Sequence, residues 1–116
     1  MDVNQRVTIL ASLGNHLQNL SGESKAELYA KMQNYNNWFT PKQSAIALEG
    51  ICRYLDYQQL TNWIEPYSID NNSIPKNIGI IMAGNIPGVG FHDLLCTLVA
   101  GHRASVKLGS SDNILI

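Results

Sequence analysis

The sequence predicts an α/β chain. A helical region over residues 1–67 leads through a polar linker, 68–77, into the first βαβ unit of a parallel-sheet domain of the nucleotide-binding type, 78–116. Three observations carry this. Apolar residues up to Tyr67 recur at helical intervals. From Glu65 to Asn77 the periodicity stops in a stretch holding Pro66, Asp70, Asn71, Asn72, Ser73, Pro75 and Lys76. Beyond it, two short apolar runs flank a single helical stripe.

The first helix is expected from Val3, Val7, Leu10, Leu13, Leu17 and Leu20, an amphipathic stripe that Gly22 would stop. Ser24 to Glu27 has the form of a capping box, which would open a short helix carrying Leu28, Met32 and Tyr35. Asn34 to Asn37 breaks it. Thr40 as cap, Pro41 at the first helical position and Gln43 then start another helix, with Ala45, Leu48, Ile51, Cys52 and Leu55 on its apolar face. Leu60, Trp63, Ile64 and Tyr67 repeat the spacing, so the helix restarts or bends near Asp56. Trp38 and Phe39, just before the cap, are expected to anchor the core.

Ile78 to Ala83 is a continuous apolar run, as in a strand buried on both faces. The breaker-rich turn Gly84 to Gly90 follows, then a helix carrying Phe91, Leu94, Leu95, Leu98 and Val99, closed by Gly101. Ala104 to Leu108 fits a second strand, and Gly109 to Asn113 a turn able to cap a further helix. Such a unit implies parallel strands joined by a right-handed crossover. Its strand pair exposes both edges, so more chain is expected after Ile116.

Composition narrows the function classes. Of 116 residues, 45% are hydrophobic and 15% charged, enough apolar material for a core. The net charge is -1 and the lysines and arginines are scattered, so no basic patch points to nucleic acid. The start Met1-Asp2-Val3-Asn4 lacks the character of a signal peptide. No apolar run is long enough to span a bilayer, because Asn85, Pro87, His92 and Asp93 interrupt the longest one. A cytoplasmic protein is expected. Cys52 and Cys96 have neither metal-ligand nor redox spacing and are expected to be buried free thiols.

Among the residues able to carry chemistry, the loop Gly84–Gly90 stands first. Ligands of open α/β sheets gather at the carboxyl ends of parallel strands, where this loop lies. Asn85 there has an amide able to donate to a developing negative oxygen. The pattern Gly-x3-Gly-x-Gly matches neither the dinucleotide fingerprint nor a P-loop, and a tight structural turn explains it equally well. Lys107, at the end of the second strand, either snorkels to solvent or reaches a ribose or phosphate. His92 opens the crossover helix as an acid–base group or, more commonly for a lone histidine, a structural one; Asp93 beside it suits the helix dipole. No Ser/His/Asp arrangement, carboxylate pair or metal cluster is discernible.

The run Ile78-Gly79-Ile80-Ile81-Met82-Ala83-Gly84-Asn85-Ile86-Pro87-Gly88-Val89-Gly90-Phe91-His92-Asp93, with Gly101-His102 and Val106-Lys107-Leu108-Gly109-Ser110-Ser111, resembles the start of the cofactor domain of fatty acyl-CoA reductases of the bioluminescence type. These belong to the aldehyde dehydrogenase superfamily. Asn37-Trp38-Phe39-Thr40-Pro41 is similar to the helical N-terminal region of the same reductases.

The resemblance implies an aldehyde dehydrogenase-like fold and reduction of a fatty acyl-CoA to the aldehyde through a cysteine thioester. It matches Asn85 to the superfamily's oxyanion-stabilising Asn, and Ile81, Met82, Ala83 and Gly84 to the strand end beside the nicotinamide. It matches Lys107 to the Lys that touches the adenosine ribose, and Ser110 to a Glu in the same motif. Gly84 stands where Trp is usual, which opens space beside Asn85. Loss of the Glu charge at Ser110 implies NADP(H) as cofactor, with NAD(H) the alternative. Fatty acyl-CoA is the implied substrate, and a homo-oligomer the implied state of the full-length protein. The nucleophilic cysteine and a second glycine motif are expected beyond Ile116, so this segment alone is expected not to turn over. An aldehyde-oxidising dehydrogenase of the same superfamily and a non-catalytic helical interaction module are the alternatives.

Overall fold

The computed structural model describes residues 1–116. The order is α1 Val3–Gln18, α2 Gly22–Tyr35, α3 Pro41–Tyr54, α4 Tyr57–Ile64, β1 Asn77–Ile81, α5 Phe91–Val99 and β2 Arg103–Lys107. This is a mixed fold of five helices and a two-stranded parallel sheet.

Each helix of the first region starts on a side-chain cap. Asp2 accepts from the Gln5 N–H at 2.8 Å, and Gln5 accepts from the Asp2 N–H at 2.9 Å, a complete capping box. Thr40 caps α3 through the Gln43 N–H, with Pro41 in the first turn. Asp56 caps α4 through the Gln59 N–H, which is the expected restart.

The start of α2 differs from expectation. Ser21, in an extended conformation, accepts from the Ser24 N–H at 3.0 Å, so the helix opens one turn earlier than a cap at Ser24 would allow. Gly22 is therefore the first residue of α2, and α1 ends at Gln18 with Asn19 as its cap. An extended Ser21 already supplies the acceptor that the first turn needs, which leaves no role for a left-handed stop at Gly22.

Val7, Leu10, Ile51, Leu55, Leu60, Leu95 and Val99 form the main core, so α5 of the βαβ unit shares it with α1, α3 and α4. Leu13 of the expected stripe is exposed. Gly14 takes the inner position instead, because a Cβ there would lie 2.6 Å from the Leu55 Cβ. Of the expected aromatic anchors, Phe39 is 2% exposed but Trp38 is 84% exposed. Trp38 sits in a turn closed by the Phe39 N–H donating to Asn36 O at 2.9 Å, and the turn leaves its side chain outside the core that Phe39 enters. Cys52 and Cys96 are half-buried rather than fully enclosed.

The strands pair in parallel, with Asn77 opposite Arg103 and Ile81 opposite Lys107. Neither is buried on both faces. Only Ile80 of β1 is buried, Ile81 is 87% exposed, and no residue of β2 is buried. The cause is one-sided cover: α5 is the helix packed on the pair, and its Leu95 and Val99 turn away into the helical core.

The end of α5 is fixed by a Schellman motif. The Gly101 N–H donates to Leu98 O at 3.0 Å and the His102 N–H to Thr97 O at 3.1 Å. Gly101 has φ +89, and a Cβ there would also press on the Arg6 guanidinium. Arg6 Nε in turn donates to Val99 O at 3.0 Å, tying α1 to the end of the crossover. No helix is long and apolar enough to cross a membrane.

Candidate functional site at the strand ends

Parallel register brings the carboxyl ends of β1 and β2 side by side. The Met82 N–H donates to Lys107 O at 3.0 Å, which carries the ladder one step past Ile81. Just beyond, the two chain segments meet backbone to backbone. A Cβ on Gly109 would lie 2.8 Å from the Gly84 N and Cα, and one on Gly84 would lie 3.3 Å from the Gly109 Cα. Real Cβ atoms essentially never approach backbone as closely as 2.8 Å, so the crossing needs glycine at 109, while at 84 a side chain would fit only tightly. The glycines after the strand thus have a packing cause.

The loop then turns at Gly88, whose φ is +70. Pro87 is buried, and Ile51 of α3 and Leu115 press on the Gly88 position. Gly90 leaves room for the Met82 side chain, since a Cβ there would clash with the Met82 Sδ. Met82, only 6% exposed, is thereby turned beneath the loop and away from the open strand end.

The expected site residues fall into two groups. Ile81, Ala83, Asn85, Lys107 and Ser110 are exposed at the strand-end loops. Gly84 lies between them in contact with Gly109, and Met82 is enclosed. The β1–β2 register and the Gly84–Gly109 crossing hold Ile81, Ala83, Asn85 and Lys107 on one end of the sheet, with Ser110 next to the crossing.

Asp112 went unnoticed in the sequence. Its side chain is buried, and its Oδ2 accepts from the Gly88 N–H at 2.7 Å. Its Oδ1 is buried with no hydrogen-bond partner. Burial pushes the carboxyl above the usual range, and the Gly88 hydrogen bond pulls it partly back. The signal available beforehand was weak: an Asp in a Ser-Ser-Asp-Asn turn ordinarily faces water. Neighbouring contacts fasten the same turn. Asn36 Nδ2 donates to Ser111 O at 3.3 Å, and Asn113 Nδ2 to the Tyr35 hydroxyl at 2.9 Å.

A second concavity lies elsewhere. A groove of about 980 Å³ opens among the helices, with Leu17, Tyr29, Leu48, Cys52, Trp63 and His92 in its lining. His92 stacks obliquely on Tyr54 and Trp63 at centroid distances of 5.7 and 6.1 Å. Cys96 Sγ lies 3.8 Å from His92 Nδ1. Burial raises the Cys96 thiol and Asp93 raises it further. Burial also raises Cys52; Lys25 opposes the shift and Glu49 adds to it. Neither sulfur is tuned toward the thiolate that a nucleophile requires. No group of three or more metal-ligating side chains occurs.

No protein-family model, curated protein or solved structure matches this chain.

Proposed function

We propose that residues 78–116 begin the cofactor-binding domain of an NADPH-dependent acyl-CoA reductase with an aldehyde dehydrogenase-like fold, acting in the cytoplasm. The observation that supports it best is the joined end of the parallel βαβ unit. There Asn85 and Lys107 stand exposed on adjoining segments, held by the Gly84–Gly109 crossing, and Ser110 follows directly.

The chemistry of this end fits the adenosine portion of a nicotinamide cofactor. Lys107 offers a cation, Ser110 and Ser111 offer exposed hydroxyls, and the one carboxylate of the turn, Asp112, is withdrawn into the interior. A 2′-phosphate would therefore meet donors and no exposed negative charge in the turn. NADPH, when bound, supplies the hydride. Asn85 donates its side-chain N–H to the carbonyl oxygen as negative charge builds there during acyl transfer. The room expected beside Asn85 from glycine at position 84 is taken by the Gly109–Asp112 backbone, so a thioester would have to reach Asn85 from its exposed side. The resemblance assigns the acyl group to a cysteine after Ile116, and burial raises Cys52 and Cys96 rather than activating either for that role.

The test is acyl transfer in a chain that continues through that cysteine. Asn85→Ala is expected to slow acylation ~100-fold while thioester binding changes little. Acylation at the parent rate would reduce Asn85 to a turn residue. The helical groove, with its aromatic lining, favours a second reading as an interaction module. That reading gains if acyl-CoA and NADPH leave the strand end unperturbed.

A further inference from the structure

We propose that Asp112 is the positioning residue of the strand-end loop: its carboxylate, seated under Gly84–Gly90 on the Gly88 N–H, fixes the backbone from which Asn85 is presented. The proposal rests on the reading of Asn85 as the site's oxyanion donor.

Three features of the geometry carry it. Asp112 is 3% exposed, so its charge is held in the interior although its neighbours Ser111 and Asn113 are exposed. Its Oδ2 meets the Gly88 N–H at 2.7 Å, a short contact of the charge-assisted kind. Gly88 is also where the loop reverses, with φ +70, so holding that amide holds the turn. Asp112 is placed for this from behind: its N–H donates to Gly109 O at 3.1 Å, and Gly109 is the residue crossing Gly84. The loop is thus held at both ends of the segment containing Asn85, by the glycine crossing at Gly84 and by the carboxylate at Gly88.

The buried Oδ1 has no protein donor, so the ionised carboxylate is under-satisfied. Residues 83–90 and 108–113 hold no other ionisable side chain, and α3 faces Gly88 with Ile51. The Asp112 carboxyl responds to burial and to the Gly88 amide, with no charged side chain among its influences. Protonation would therefore weaken the hold on Gly88 at a pH above the usual carboxylate range, and loosen Asn85 with it.

The experiment is amide NMR on the 116-residue chain without cofactor, for the parent, Asp112→Asn and Asp112→Ala. In the parent, the Gly88 amide proton is expected to shift with pH, following the Asp112 carboxyl with a midpoint above the ordinary carboxylate range. Asp112→Asn keeps an acceptor, so it should abolish that titration yet retain exchange protection at Gly88. Asp112→Ala should lose about tenfold or more of that protection and lower the order parameter of Asn85. A Gly88 amide that ignores the Asp112 titration, or an Asn85 unchanged in Asp112→Ala, overturns the proposal. Should Asp112→Ala fail to fold, the parent titration and its loss in Asp112→Asn decide the matter. NADPH enters none of these measurements. A loop indifferent to Asp112 therefore sinks the positioning role alone, and failure to bind NADPH sinks the functional reading alone.

Discussion

The helical half and the strand-end half of this chain are held together by different means. The helices meet through enclosed side chains: Leu55 and Leu60 are each almost fully buried, and α1 approaches so closely that Gly14 touches the Leu55 Cβ. The strand end is held mainly by backbone. Its two strands bury a single side chain, Ile80, and its loops are fixed by the Gly84–Gly109 crossing and by Asp112 on Gly88. In the first half the side chains are spent on stability. In the second, most strand side chains stay exposed.

Substitutions should separate the halves most clearly in the core. Leu55→Ala is expected to cost about 3 kcal/mol, since a fully enclosed leucine leaves a cavity. Ile81→Ala, at an exposed strand end, should stay within about 0.5 kcal/mol. Urea unfolding of both variants measures the difference, and equal costs would erase the distinction.

The next effect falls on the backbone crossing. Gly109→Ala places a Cβ against Gly84 backbone, which cannot move aside as a side chain would, and is expected to cost about 2 kcal/mol. Amide shifts should change along both loops while the α1–α3 signals stay put. Changes spread evenly over the chain would show that the halves are not independently held.

Helix caps come after that. Thr40→Ala removes the acceptor for the Gln43 N–H and is expected to cost about 1 kcal/mol in the same unfolding measurement. A cost near zero would mean that Pro41 alone sets the start of α3.

Asp112→Asn has the smallest effect and the opposite sign. Burial raises the folded carboxyl above its unfolded value, so the folded chain holds the proton more tightly. The Asp112 contribution to stability is then largest in acid. It falls as pH rises from the ordinary carboxylate range to the raised folded value, and stays at that lower level above it. The Asn variant lacks this fall, so it should be the more stable protein near neutral pH and lose its advantage in acid. A variant less stable than the parent at neutral pH would mean that the ionised hydrogen bond outweighs its burial.

The contrast between the halves also explains what could be read from the sequence. Helix stripes, the cap at Thr40 and the break near Asp56 follow from local spacing and hydrogen-bond chemistry, and they were legible. The parallel strand pair was legible because an apolar run, a glycine-rich turn and a helical stripe come in that order. Strand burial was not, because composition says how apolar Ile78 to Ala83 is, but not how many layers cover it. Ser21 and Ser24 are equally good caps by type, and only the extended backbone at Ser21 decides between them. The glycines of the loop were visible as breakers, but the partner of Gly84 lies on the turn after β2. Asp112 was invisible for the same reason, since its burial comes from the loop folded over it.

The most direct test of the strand end as the functional site is a titration of the labelled 116-residue chain with NADPH, followed amide by amide. The account predicts shifts at Ile81 to Asn85 and at Lys107 to Ser111, a weaker response to NADH, and loss of the NADPH preference in Ser110→Glu. Shifts confined to the groove around Tyr29, Cys52, Trp63 and His92, or no shifts at all, would contradict it.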